Sequence, residues 1–343
     1  MDKRCQYYDY LNLFACFAVV AMHVNSAFWD YRPNPSWLLN SFIEKSCVWA
    51  VPIFYMLTGA TLIRSSESFS FHVYAQKRFS RTVLPFIFWS FVGLIYDIFY
   101  LGSVSPDLEL ANYVSMILNA SIPTTSVFWF FLPLLAIYLA LPLLIYVDDE
   151  KKKKVFGYLI FAYLILNLIR NLFGFFGISF PVDLQLIVMG GWLIYPILGW
   201  YLSNIELRDI QQRGIYLIGI ISFLFTWVGT VISSYKAGSI VNVGSNLLDL
   251  PYIIISSSVF LFFKQRFARK SQSERGSKLL VSLSGLTFGV YLIHRFVLNF
   301  LVKLLDIQPA TWYWPIIGFF LVSGISFLLV ALIKRIPLLC RLV

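Results

Sequence analysis

Apolar runs of about 20 residues recur along the whole chain, and they constrain its fold more than any other feature. Each run is long enough to cross the hydrocarbon core of a bilayer as a helix. Only 13% of the residues are charged, about half the share found in soluble domains. The runs are continuous rather than alternating, which argues against a membrane β-barrel. We therefore predict an all-α polytopic membrane protein, a single bundle of about ten transmembrane helices.

The predicted spans are joined by short loops, without a linker or a shift in composition that would separate a second domain. We accordingly interpret residues 1–343 as a single integral-membrane domain. An even number of crossings places both termini on the same side of the membrane. The predicted spans cover residues 8–28, 41–63, 82–101, 127–147, 155–177, 185–203, 214–234, 246–264, 279–301 and 311–334.

Basic residues are concentrated in alternate loops. The two termini and the loops at 64–81, 148–154, 204–213 and 265–278, with Lys264 at the edge of the last, hold 21 of the 27 lysines and arginines. The positive-inside rule then places both termini in the cytoplasm of a multi-pass plasma-membrane protein. The same distribution accounts for the net charge of +10, so we expect a lipid bilayer and no nucleic acid as partner.

The segment at 102–126 is the longest connection on the predicted outer side, and it contains no basic residue. Within it, Leu108 to Leu118 predicts a short interfacial helix. The four cysteines of the chain show no CxxC or other metal-ligand spacing, so we expect no metal site.

A polar stripe runs along the first predicted span. Asn12, Cys16 and His23 fall on one face of a helix, because each residue turns the chain by about 100°. Ionisable side chains inside a bilayer are costly and are therefore candidates for function. Histidine is the side chain best suited to move a proton near neutral pH. The stripe therefore makes His23 the first candidate for a general base.

Three further ionisable residues are predicted at a depth similar to that of His23. The helical rise of 1.5 Å per residue places Glu44, Arg170 and His294 in one layer of the outer half of the membrane. Each also has a structural interpretation: Glu44 facing interfacial water, Arg170 reaching toward the surface, and His294 packing with Arg295. Agreement in depth alone does not decide between these interpretations.

Arg78 and Arg81 enter the third predicted span from the basic side. Residues three apart lie on one face of a helix, and two guanidinium groups on one face suit bidentate binding of phosphates. The positive-inside rule alone also predicts arginines at this place.

These pieces, in this order, resemble acyltransferase family three, integral-membrane acyltransferases that include many O-acetyltransferases of bacterial surface polysaccharides. The resemblance covers nearly the whole chain, although the family usually has Arg or Lys at the position of Asn12. Asparagine can form hydrogen bonds but cannot neutralise an anion. The segments that carry the resemblance are Tyr8–His23, Val51–Gly59, Arg78–Trp89, Trp129–Pro142, Gly191–Ser203 and Thr287–His294.

The resemblance implies transfer of an acyl group, most often acetyl from acetyl-coenzyme A, to a sugar hydroxyl. Acyl-coenzyme A is then a donor substrate rather than a bound cofactor, and a carbohydrate is the acceptor. In this interpretation His23 is the base, and Glu44 orients its other ring nitrogen. Arg78 and Arg81 bind the phosphates of the coenzyme in this interpretation. The residues that contact the substrates are Asn12, Arg170 and His294.

Two other function classes fit the composition. A transporter or flippase of a lipid-linked sugar would also be a helical bundle with polar residues inside the membrane. Many transporters are built from repeated halves, and no internal repeat is visible in this chain. A non-catalytic membrane module of cell-envelope synthesis is the third class.

Overall fold

The computed structural model describes residues 5–176, 191–268, 274–308 and 311–343, and over these residues the fold is all-α. The α-helices are α1 (Gln6–Val24), α2 (Pro35–Cys47), α3 (Ala50–Leu62), α4 (Phe71–Arg78), α5 (Leu84–Tyr96), α6 (Leu110–Leu118), α7 (Phe131–Ile145), α8 (Asp149–Phe175), α9 (Ile194–Asn204), α10 (Asp209–Ala237), α11 (Leu250–Phe267), α12 (Glu274–Ser284), α13 (Thr287–Leu304) and α14 (Trp314–Ile333). Short 3₁₀ turns precede α7 and α9, and π-helical turns precede and follow α5.

Helices long and apolar enough to cross a membrane confirm that the chain is a helical membrane protein. Among the described residues six have the required length and composition, so the predicted count of about ten is not confirmed. The six are Phe71–Leu101, Ser126–Ile145, Asp149–Gly174, Asp209–Ala237, Thr287–Leu304 and Trp314–Ile333.

Two predicted spans are each divided into two helices. The division of the first lowers the count, whereas α13 of the second is still among the six. The span at 41–63 becomes α2 and α3, because the chain turns at Val48 and Trp49. Pro52 therefore lies in the first turn of α3, where its missing N–H breaks no hydrogen bond. The span at 279–301 becomes α12 and α13, which a turn at Gly285 separates.

Helix α1 lies at the centre of the bundle. It packs against α2, α3 and α11 to α14, and Leu11, Ala15, Val20 and Val24 along its length are fully buried. A helix surrounded in this way holds its side chains in fixed positions, including any polar residue that it carries. Its stripe of polar residues therefore faces other helices.

Helices α3 and α9 cross with their backbones in contact. A Cβ atom added to Gly59 would collide with the carbonyl oxygen of Pro196, and one added to Gly199 would collide with that of Met56. Small residues at a helix crossing permit this close approach inside a membrane. Since α3 also packs against α1, the crossing helps to position the central helix.

The segment at 102–126 contains the predicted short helix, which is present as α6. The segment is fastened to the bundle by Asp97, a fully buried carboxylate at the end of the long helix that begins at Phe71. Asp97 accepts hydrogen bonds from the backbone N–H and the hydroxyl of Thr124, at 2.8 and 2.6 Å. Asn299 of α13 donates to the same hydroxyl at 3.0 Å. The end of the segment is thereby held against α13.

Candidate active site

Two histidines from distant parts of the sequence meet inside the bundle. Nδ1 of His23, near the end of α1, lies 3.0 Å from Nε2 of His294 on α13. His294 is fully buried, whereas His23 is half-buried. The sequence predicted a similar depth for these residues, and the structure brings them into direct contact. A partly buried imidazole backed by a fully buried one is an arrangement suited to proton transfer.

The polar stripe of α1 is what holds α13 in place. Nδ2 of Asn12 donates to the hydroxyl of Thr287 at 2.7 Å and to the carbonyl of Ser284 at 3.1 Å. The thiol of Cys16 lies 3.7 Å from the carbonyl oxygen of Thr287. Thr287 and His294 are seven residues apart and therefore lie on one face of α13. Asn12, which the sequence assigned to substrate, thus joins the two helices that carry the histidines.

Glu44 lies on α2 and is held from α1 by Asn25. Nδ2 of Asn25 donates to Oε2 of Glu44 at 3.4 Å and to the carbonyl of Asn40 at 2.8 Å. The sequence analysis assigned Glu44 to the second ring nitrogen of His23, but the structure places His294 against that nitrogen. The reason is topological, because α13 lies beside the stripe and Glu44 is engaged by the residue that ends α1.

Arg170 forms an ion pair with Asp249 and has no described contact with either histidine of the pair. Its guanidinium lies 2.9 Å from the Asp249 carboxylate and 2.7 Å from Oδ1 of Asn167. The pair connects α8 to the start of α11, and both side chains are partly exposed. The four residues predicted in one layer therefore have different partners: the two histidines contact each other, Glu44 contacts Asn25, and Arg170 pairs with Asp249.

Arg78 and Arg81 occupy different environments. A π-helical turn, Phe79–Val83, begins directly after Arg78, and its wider turn changes the angular spacing expected for an α-helix. Arg78 is half-buried, with its guanidinium 5.3 Å from the ring centre of Tyr138 and 5.9 Å from that of Tyr74. Arg81 is exposed. The two arginines, predicted on one face, therefore differ in their surroundings: Arg78 lies close to two aromatic rings, and Arg81 is exposed.

The family of the chain follows from a comparison with family models. The model described as "Acyltransferase domain" matches residues 6–335, which include α1 through α14. The chain belongs to this family. The predicted resemblance is thereby confirmed over nearly the whole length, and the protein is a membrane acyltransferase. No curated protein and no solved structure matches the chain.

The sequence analysis missed the residues that hold the histidine pair of this acyltransferase. The carbonyl oxygen of Tyr291 lies 2.7 Å from Nδ1 of His294, and that of Val290 lies 3.2 Å away. Thr287 was also missed as the partner of Asn12. Its seven-residue spacing to His294 was the available signal, because it matches the stripe on α1. The tyrosines around Arg78 gave no such signal, since Tyr138 belongs to a different helix.

Proposed function

We propose that this acyltransferase moves an acyl group, most often acetyl, from acyl-coenzyme A to a hydroxyl of a cell-surface polysaccharide or its lipid-linked precursor. The observation that carries the proposal is the partly buried His23 set against the fully buried His294 at the centre of the bundle. A sugar hydroxyl is a weak nucleophile until a base removes its proton. His23 is the side chain in the chain's central helix that can do so near neutral pH.

A single residue, His23, can accept a proton and return it, so the proposed reaction is balanced in protons. The imidazole of His23 takes the proton of the acceptor hydroxyl as the oxygen attacks the thioester carbonyl. The C–S bond breaks, the new ester C–O bond remains, and the proton returns from the imidazolium to the coenzyme A sulfur. No charge is left on the protein after the cycle.

Donor binding is assigned to the basic side of the long helix Phe71–Leu101. Arg78 is held between Tyr74 and Tyr138, and its buried Nε has no hydrogen-bond partner among the described residues. A guanidinium fixed by aromatic rings is suited to stack and to bind phosphate in a bidentate manner. Arg81 lies inside the π-helical turn, is exposed and can reach a second phosphate.

Replacement of Arg78 or Arg81 by alanine should raise the Michaelis constant for acyl-coenzyme A, because each variant loses a charge-assisted hydrogen bond to phosphate worth about 1.5–3 kcal/mol. This loss corresponds to roughly a tenfold to hundredfold change. Lysine at position 78 should restore only part of the affinity, since it lacks the planar fork. Initial rates across donor concentrations measure both effects.

Arg64 provides the matched control for net charge. It is an exposed arginine on the same predicted side, and its Nε donates to the carbonyl of Thr61 at 3.1 Å. Arg64→Ala should leave the Michaelis constant for the donor unchanged. An Arg78→Ala, Arg81→Ala double variant that folds and binds the donor normally would contradict the assignment.

We also propose that both termini lie in the cytoplasm of a plasma-membrane protein. A cysteine at Ser115, on exposed α6, should react with an impermeant thiol reagent in intact cells, and one at Lys153 should react only after permeabilisation. The four native cysteines are replaced in both proteins. Labelling of position 153 but not 115 in intact cells would show that the orientation is the opposite of the one proposed.

The function itself is tested on the cell surface. Cells that carry the chain should have base-labile acyl esters on their surface glycans, and cells without it should lose those esters while keeping the glycan. Unchanged esters would contradict the proposal. Loss of the whole glycan from the surface would instead support the alternative of a flippase for its lipid-linked precursor.

A further inference from the structure

We propose that His294 is a positioning residue that sets the tautomer of His23, so that Nε2 of His23 carries the lone pair and Nδ1 carries the proton. The use of that lone pair as the catalytic base rests on the proposed function. The tautomer itself follows from the hydrogen bonds of the two rings and is independent of the reaction.

The proton of His294 is located by its carbonyl partners. Nδ1 lies 2.7 Å from the carbonyl oxygen of Tyr291 and 3.2 Å from that of Val290. A carbonyl oxygen can only accept a hydrogen bond, so Nδ1 of His294 must carry a hydrogen. The ring is fully buried, and its described hydrogen bonds include no carboxylate. A buried charge without a counter-ion is costly, so the ring is neutral and its Nε2 has a lone pair.

The proton of His23 follows from that of His294. The lone pair on Nε2 of His294 faces Nδ1 of His23 at 3.0 Å, and a hydrogen bond at this distance requires a donor. Nδ1 of His23 is therefore protonated. A neutral imidazole has a single N–H, so Nε2 of His23 holds the lone pair. An isolated histidine side chain prefers the opposite tautomer, with its proton on Nε2.

A second histidine is a suitable acceptor at this depth because it is uncharged. A carboxylate in the same place would also accept from Nδ1, but it would bring a negative charge into a buried site. The hydrogen bonds that link the Tyr291 carbonyl, His294 and His23 orient the His23 ring in the same way with neutral groups. When His23 gains a proton during the reaction, its Nδ1–H bond to His294 becomes charge-assisted and therefore stronger.

The first test reads the tautomer directly. The chain has three histidines. When the exposed His72 is replaced by glutamine, His23 and His294 are the two histidines that remain to give signals. Nitrogen NMR of the full-length protein labelled with ¹⁵N-histidine should show a protonated Nδ1 and an unprotonated Nε2 on both rings at neutral pH. A protonated Nε2 on His23 would overturn the proposal, whether or not any variant folds.

Two substitutions separate positioning from packing. His294→Leu fills the buried space but removes the acceptor, so the proton of His23 should shift toward Nε2. His294→Gln can place a carboxamide oxygen near the former Nε2, so the tautomer of His23 should be retained. An unchanged tautomer in His294→Leu would overturn the proposal. A packing role would favour leucine over glutamine, which is the reverse of the expected order.

Acyl transfer by the same proteins separates this inference from the proposed function. His294→Leu should lower turnover by up to roughly 10⁴-fold, the cost of leaving a catalytic histidine in the wrong tautomer, with little change in donor affinity. His294→Gln should retain more activity than His294→Leu. If the tautomer shifts in His294→Leu while turnover stays normal, the positioning role stands and the assignment of His23 as base fails.

Discussion

His23→Ala should reduce acyl transfer roughly 10²–10⁴-fold, which is the usual contribution of a positioned general base. The acceptor hydroxyl then has no group to remove its proton, whereas the donor site at Arg78 is unchanged. Alanine is a strong helix former, and the half-buried ring of His23 loses its contact with His294 in this variant. The variant should therefore insert and bind acyl-coenzyme A normally. Turnover and donor binding of the purified protein are the two measurements.

Two further variants complete this prediction. His23→Gln should fail as well, because an amide forms hydrogen bonds but does not accept a proton at neutral pH. His72→Ala is the matched control, since His72 is exposed on α4 and is not part of the histidine pair. Near-normal turnover in His23→Ala would remove His23 from the mechanism. If His23→Ala kept near-normal turnover while His294→Ala abolished it, the base would be His294.

The helical fold could be predicted because its cause is local. Apolar runs in a bilayer must satisfy their backbone hydrogen bonds internally, and the helix does so within one segment. The family resemblance also followed from short local motifs. The breaks at Val48 and Gly285 were missed because hydropathy is continuous across them. Pro52 was the available signal for the first break, because proline in a first turn is compatible with the start of a new helix.

The candidate site was predicted only in part, because depth along a helix does not reveal which helices are neighbours. The stripe of α1 contacts polar groups of α13, a neighbour that the sequence did not indicate. Arg170 was predicted at the depth of His23, and in the structure it pairs with Asp249. The environment of Arg78 depends on a π-helical turn and on Tyr138 of α7. Both are properties of the tertiary structure.

Gly199→Ala should destabilise the protein by about 3 kcal/mol or more, at the upper end of the range for overpacked sites. The new methyl group would collide with the backbone carbonyl of Met56, which cannot rotate away as a side chain would. Helices α3 and α9 would have to separate along their buried contact. Thermal unfolding in a fixed detergent should show a clearly lower midpoint and a smaller folded yield.

Gly324→Ala is the matched control for the crossing. Gly324 lies inside α14, and a Cβ added there would meet nothing within 4 Å. Alanine should be neutral or stabilising at that position by up to about 1 kcal/mol, because it favours the helix more than glycine does. Equal unfolding midpoints for Gly199→Ala and Gly324→Ala would contradict the close crossing of α3 and α9.

Gly59 and Gly199 serve the same crossing, so their effects should not add. Once Gly199→Ala has separated the helices, a methyl group at Gly59 no longer meets the carbonyl of Pro196 at the original distance. The double variant should therefore lose less stability than the two single losses combined, as expected for residues in contact. Because α3 packs against α1, any folded fraction should also show reduced acyl transfer through displacement of His23. If the stability losses added and the folded fraction kept normal turnover, the crossing of α3 and α9 would not position His23, and the prediction would be wrong.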